Sequence, residues 1–457
     1  MTKSNDFLAT EPVGKLLFKL AVPTFMAQLI NMLYNMVDKI YIGHMPGDGD
    51  LALAGVGICL PLIILVSAFA ALVASGGAPR ASIEMGRGNN EAAERILGSC
   101  LSMLVLISAL LTVLMLIFNR PLLLFFGASE NIIGYALDYM NIYALGTVFV
   151  QLTLGMNAFI TAQGFTRQSM TTVLIGAAFN IVLDPIFIFV LGMGVRGAAL
   201  ATLISQAVSC VRVLSFLRGR KTILSLRAAY LKMDWKLVGS CMALGIAPFI
   251  MQSSEGIISI CFNTSLQRYG GDMAVAAMTV LTGGMMLEML PLNGIAQGAQ
   301  PLLGYNFGAM RPDRVKAGFS VLLKTCLAFS FSIWAFIMAF PQLFVRIFTP
   351  DPELIAYTSG VIRVYSAMMC LMGIQIACQM TFISMGNAKA SAMMAIVRKF
   401  FLLLPFVYLL PALMEDKTMG VYLAEPVSDF IAIAITAIIF AIQFRKAIRR
   451  MEEKLNT

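Results

Sequence analysis

The chain has 457 residues, of which 59% are hydrophobic and 12% charged, with a mean hydropathy of +0.83 and a net charge of +9. Soluble domains average about 25% charged residues, so this composition excludes a soluble globular protein and marks an integral membrane one. The positive balance does not point to nucleic acid, because it falls at the ends of apolar stretches, where membrane topology accounts for it.

Apolar stretches recur from Leu17 to the last turn before Arg445. Their length, about 20 residues, crosses a bilayer as helix, whereas β-barrel strands would be shorter and would alternate polar with apolar residues. Twelve spans are predicted, at 17–43, 51–79, 96–118, 132–160, 169–192, 196–217, 238–266, 274–304, 317–345, 355–384, 396–414 and 420–443. The first sixteen residues are polar and the first apolar stretch is long enough to stay as a span, so no cleaved signal peptide is expected. Of the 33 Lys and Arg, 26 fall on the side of both termini and the even-numbered connections, including Lys3, the basic run from Arg212 to Lys236, and Lys389, Arg398 and Lys399. The other side holds Lys39, Arg120, Arg196, Arg268, Arg346, Arg363 and Lys417. Cytoplasmic loops carry the excess of positive charge, so both termini are predicted to be cytoplasmic. The eight Cys include no CxxC pair and mostly sit in apolar segments; they read as small hydrophobes, neither disulfides nor metal ligands.

The chain repeats itself. A shift of 222 residues places Gly76 on Gly298, Pro79 on Pro301, Gly86 on Gly308, Tyr143 on Tyr365 and Gly164 on Gly386, and a shift of 225 places Pro23 on Pro248. Each half holds six spans, an even number, so the halves share one orientation and should relate by an axis along the membrane normal. The expectation is therefore an all-α integral membrane protein with twelve transmembrane helices in two six-helix lobes related by a pseudo-two-fold. The N-terminal lobe is 1–217, a basic cytoplasmic linker is 218–236, and the C-terminal lobe with its tail is 237–457. Two such lobes facing each other form a cavity that can open to either side, as alternating access requires.

The stretch Asn180-Ile181-Val182-Leu183-Asp184-Pro185 interrupts the fifth span. Asn180 and Asp184 are one helical turn apart and share a face. A carboxylate at membrane mid-depth costs roughly 2.5 to 3.5 kcal/mol on insertion scales, so it normally faces a cavity, a cation or a partner. Glu255, Glu288, Glu425 and Asp429 are further intramembrane acids, and Pro426 between the last two suggests a broken helix. His44, the single His, is placed in the first outer loop, so no His-based proton relay is available.

Several stretches together resemble the multidrug and toxic compound extrusion (MATE) family over essentially the whole chain. They are Pro23 through Tyr34-Asn35-Met36-Val37-Asp38-Lys39-Ile40-Tyr41-Ile42-Gly43, then Asn180 through Pro185, Gly194-Val195-Arg196-Gly197-Ala198-Ala199-Leu200-Ala201-Thr202, and Gln300-Pro301-Leu302-Leu303-Gly304-Tyr305-Asn306-Phe307-Gly308-Ala309. The resemblance implies a drug/cation antiporter in the cytoplasmic (inner) membrane, driven by Na+ or H+. It implies no other cofactor and no ATP site, and no GxxxxGK[ST] stretch is present. Carried over position by position, the family's N-lobe ion site falls on Asp38, Asn180, Asp184 and Thr202, a hard oxygen set suited to Na+ or to a shared proton. Glu255 resembles an acid that some members use in the C-lobe, but the tenth span offers Gln375 and Gln379 where those members carry an acid. Glu255, Gln28, Asn31, Met285 and Gln375 form the candidate substrate-cavity set.

The reading is thus a monomeric exchanger of Na+ or H+ for cationic amphipathic small molecules, with the lipid bilayer as its other partner. Pro23, Pro185 and Pro248 are candidate bending points. The 32 Met and 31 Phe suit flat cationic cargo but are also ordinary lipid-facing residues. A lipid or lipid-linked oligosaccharide flippase of similar architecture is the alternative; such cavities are more basic, while the intramembrane charges here read as mainly acidic. A membrane-embedded enzyme is a remote third, since the chain has no HExxH or GxSxG stretch. The second repeat has no acid at 402–406, where it would match Asn180 and Asp184, so ion coupling is expected in one lobe.

Overall fold

The computed structural model describes residues 6–45 and 49–456, so Lys3 lies outside the described residues. A short helix α1 (Asp6–Thr10) precedes α2 (Val13–Gly43), α3 (Gly49–Gly86), α4 (Asn90–Phe125), α5 (Ile133–Ala162), α6 (Thr166–Pro185) and α7 (Val195–Arg218). A polar segment then leads to α8 (Trp235–Ser253), α9 (Glu255–Gly308), α10 (Pro312–Ala339) and α11 (Pro341–Arg346). The chain ends with α12 (Pro352–Tyr365), α13 (Met372–Ser384), α14 (Ala388–Ile396), α15 (Leu404–Leu413) and α16 (Lys417–Asn456).

Twelve crossings emerge from these helices for identifiable reasons. Helices α2 to α7 supply six. The continuous run Trp235–Gly308 is broken at Gly271, whose φ of 66° and ψ of −161° only glycine adopts readily, and it counts as two. Helices α12 and α13 meet at 43° and make one bent crossing. Helix α14 runs through a π turn, Val397–Leu403, into α15 as another, and α10 and α16 complete the set.

Two differences from expectation have local causes at prolines. Helix α10 stops at Ala339, short of 345, because Phe340 precedes Pro341 and is pushed out of the helical region, to φ −129° and ψ 56°. Helix α16 is continuous through Pro426, where a break was expected. The proline deprives only the Tyr422 carbonyl of its helical partner, and buried Tyr422, Ala424, Glu425, Ser428 and Asp429 hold the helix on both sides.

The repeat is geometric as well as sequential. Gly164 and Gly386, 222 residues apart, both turn left-handed (φ 87° and 77°) just past the ends of α5 and α13. In each case the following amide bonds back across the turn: Phe165 N–H donates to the Ile160 carbonyl at 3.2 Å, and Asn387 N–H to the Phe382 carbonyl at 2.8 Å.

The lobes meet on the side of the termini. A side chain at Gly86 would overlap the Tyr305 carbonyl, and one at Gly308 would overlap the Ile83 carbonyl. Ile83 and Tyr305 are themselves related by the 222-residue shift, so this contact is reciprocal, as a two-fold axis between the lobes demands. Gly76 against Cys241 and Gly298 against Ala21 extend the close packing along α3/α8 and α2/α9. Helix α1 straps both lobes: Phe7 lies on Gly164, while Asn306 Nδ2 and Arg314 Nη2 each donate to the Leu8 carbonyl at 3.0 Å. Contact continues to mid-depth, where the Phe69 and Phe249 ring centres are 5.0 Å apart and Pro61 touches Gly256. Beyond that depth Leu33 and Met36 on α2 are more than half exposed. The linker is pinned to the N-terminal half: the Ile223 and Leu224 amides and the Thr222 hydroxyl all donate to Gln163 Oε1, and Arg227 pairs with Glu94 at 2.9 Å.

Candidate functional site

In the N-terminal lobe, α6 carries Asn180 and Asp184 on its buried face, 2% and 0% exposed. Pro185 ends the regular helix, and the chain continues as a π turn, Ile186–Val190. Such turns are rare and often mark functional positions. Asn180 Nδ2 donates to Asp184 Oδ1 at 3.1 Å and lies 3.5 Å from Thr202 Oγ1 on α7. Asp38, in the last turns of α2, faces the Asp184 carboxyl. The Tyr139 hydroxyl reaches Thr202, and its ring stacks on Tyr143 with centres 6.2 Å apart. The four residues expected from the family pattern therefore sit together.

This cluster is short of donors. Asp38 Oδ1, Asn180 Oδ1 and Asp184 Oδ2 are all buried without a hydrogen-bond partner. Three such buried oxygens within one cluster carry a cost that a proton or a small hard cation would reduce. Among the described residues, no group of three or more His, Cys, Asp and Glu could hold a metal ion. The oxygens available are two carboxylates, an amide and a hydroxyl, which fits a monovalent cation or a proton better than a transition metal.

The C-terminal lobe is built differently. Arg398 and Lys399 lie in the π turn that joins α14 to α15, each 4% exposed. Arg398 Nε donates to Asp429 Oδ1 at 2.8 Å, and its Nη2 is 3.6 Å from Glu425 Oε1. Lys399 Nζ is 2.7 Å from Glu255 Oε1. Glu255 is the outward partner, with its side chain 54% exposed against 5% for Lys399. Asp429 and Glu425 thus pair across helices with Arg398.

Arg398 and Lys399 were expected among the terminus-side loop charges, and the structure corrects that: they are inside the bundle. The physical reason is that helix α14 begins earlier than the strongly apolar stretch does. Asn387 caps it, its side chain accepting the Ala390 amide at 3.3 Å, so Arg398 stands about eleven residues, or roughly 16 Å, into the span. An Asn before Ala-Lys-Ala-Ser-Ala-Met-Met was the signal in the sequence. The C-lobe therefore differs from the N-lobe in carrying built-in cations, although its acids still outnumber them.

The remaining candidates are spread out. Gln28 and Asn31 are partly buried on α2, beyond the strap contacts. Met285 is partly buried, with its sulfur 3.8 Å from the Tyr365 hydroxyl. Gln375 is 1% exposed inside the C-lobe, so this conformation withholds it from any open wall. His44 follows α2, its Nδ1 2.8 Å from the Ile40 carbonyl.

A helical bundle of twelve crossings in two lobes, with ionisable groups buried in both, defines a multi-pass membrane transporter. The family model described as MatE matches the chain twice, over residues 23–186 and 246–409, and the chain belongs to that family. The two matches start 223 residues apart (23 and 246), within a few residues of the shift of the internal repeat. Among curated relatives, the Multidrug export protein MepA of Staphylococcus haemolyticus (strain JCSC1435) is 24% identical and covers 93% of each chain. A protein named FAD transporter, from Shewanella oneidensis, is 24% identical over 94% of each. The fold is shared with a solved structure described as the outward-facing conformation of a multidrug resistance MATE family transporter, at a TM-score of 0.91, 22% identity, and 98% and 99% coverage of the two chains.

Proposed function

We propose that this protein is a secondary active multidrug efflux antiporter that exchanges Na+ or H+ for cationic amphipathic drugs by alternating access. The observation that carries the reading is the trio of buried, unpartnered oxygens at Asp38, Asn180 and Asp184. The multidrug export name of the MepA relatives supports the cargo class. With both termini in the cytoplasm, the strap and the glycine contacts close the cytoplasmic side and leave the cleft open outward. The moving bodies are 1–217 and 237–457, joined by 218–236, within a monomer in the cytoplasmic membrane.

In this scheme a cation enters from outside and neutralises the Asp38/Asp184 pair, with Asn180 and Thr202 as further oxygen donors. Neutralisation removes the repulsion between the two carboxylates, lets α2 and α6 repack about Pro23 and Pro185, and releases cargo. Return to the inward state discharges the cation. Inward movement of one positive charge across 100 mV contributes roughly 2.3 kcal/mol per cycle. The alternative of a flippase is not favoured by the basic residues of the C-lobe, because Arg398 and Lys399 are both occupied by acids.

The test is efflux of a fluorescent cationic dye from cells or everted vesicles, with the Na+ and pH gradients imposed separately. Dye movement under one of them is expected. Absence of movement under both sinks the antiport reading.

A further inference from the structure

We propose that the C-terminal lobe carries a second proton-binding site, the carboxyl group of Glu288, loaded and emptied separately from the Asp38/Asp184 cluster. The inference rests on the antiport reading above and deepens it, because it makes transport a matter of more than one cation per cycle.

Glu288 lies on α9, 0% exposed, and neither of its carboxyl oxygens has a hydrogen-bond partner. The groups that interact electrostatically with it are Ser330 on α10, Cys370 in the bend between α12 and α13, Arg398 in the π turn, and Asp429 on α16. Ser330 is 0% exposed and its hydroxyl is unpartnered too. Arg398 is the cation at hand, but it is held by Asp429 and approached by Glu425, while Lys399 is held by Glu255. Four acids therefore share two cations, and Glu288 is the acid left without one.

An ionised carboxylate in that position would be a buried charge without compensation, which costs several kcal/mol. The neutral acid removes the charge and supplies an O–H for Ser330. A single hydroxyl beside a guanidinium does not make a coordination shell for Na+, so the ligand is a proton. Release follows from the surroundings: loss of the proton to water leaves a third carboxylate competing for Arg398. Repacking of Arg398 would then pull on Asp429 and Glu425, and through the adjacent Lys399 on Glu255. The 43° bend beside Cys370 is where the lobe can move to let water in.

The experiment uses the purified full-length protein and its Glu288→Gln and Glu288→Asp variants, with folding checked by size exclusion. Infrared difference spectra between acid and alkaline pH should show a protonated-carboxyl band that is lost in Glu288→Gln, shifted in Glu288→Asp and retained in Asp184→Asn. In liposomes with the potential clamped and a gradient of one pH unit, Glu288→Gln should accumulate about tenfold less dye, the worth of one coupled proton. Glu288→Asp should accumulate dye as the wild type does. A folded Glu288→Gln protein with an unchanged spectrum overturns the proposal. So does loss of the band with unchanged accumulation, which would make the titration of Glu288 separate from transport, and so does displacement of the band by Na+ at fixed pH. A wild type that moves no dye defeats the antiport reading instead, and the infrared band still reports on Glu288.

Discussion

Two π turns, one in each lobe, sit in spans related by the internal repeat, and those two spans carry opposite charge. In the N-lobe, Ile186–Val190 follows Asn180, Asp184 and Pro185, and Asp38 and Asp184 form no ion pair among the described residues. In the C-lobe, Val397–Leu403 itself carries Arg398 and Lys399, each already engaged by an acid from a different helix. One fold therefore supports two electrostatic solutions. An acid pair with spare oxygens is the place where the proposed exchangeable cation would act, whereas a network with built-in cations holds together without one and leaves Glu288 uncompensated.

The comparison predicts different failures when each side is cut. The largest effect should come from Asp184→Asn, which removes the N-lobe charge that a coupling cation would answer under the proposed antiport. Dye efflux should fall to the background of cells lacking the protein, with membrane abundance unchanged. Ion-coupled efflux at the wild-type rate by that variant would mean that the unpaired oxygens are structural. In the C-lobe, Arg398→Ala should act on stability first. Removing one partner from a buried ion network costs roughly 3–5 kcal/mol, visible as earlier thermal unfolding in detergent followed by fluorescence-detected size exclusion. Unfolding at the wild-type temperature would show that Glu425 and Asp429 are simply neutral there. Lys399→Ala should have the smallest structural effect, about 1 kcal/mol or less, since Glu255 is half exposed and can turn to water. It should instead tighten cationic dye binding several-fold by freeing a negative charge at the cleft. Unchanged dye affinity in a binding titration would place Glu255 outside the substrate path.

Much of this was legible in the chain. The number and length of the crossings follow from apolar runs, because in hydrocarbon only a helix satisfies its own backbone. The 222-residue repeat was readable from a handful of Gly, Pro and Tyr positions, and Asp184 announced itself as a carboxylate in an apolar helix. Pro426 misled, because a proline counts against a helix locally while packing on both sides keeps it whole. Arg398 and Lys399 were counted with the terminus-side charges, at the very start of the eleventh span, because an apolar window cannot see a helix that starts on Ala, Lys and Ser.

What the sequence by itself determined is the class of molecule, its two-fold plan and the kinds of group buried in it, since these depend on composition and period alone. Only the tertiary structure decided which buried charges meet. Asp38 reaches Asp184 across more than a hundred residues, Arg398 finds Asp429, Lys399 finds Glu255, and Glu288 finds no cation. The physical reason is that pairing of charges depends on distance and orientation at the scale of a few ångströms, which is set by how helices pack, while burial and repeat depend on patterns that survive in one dimension.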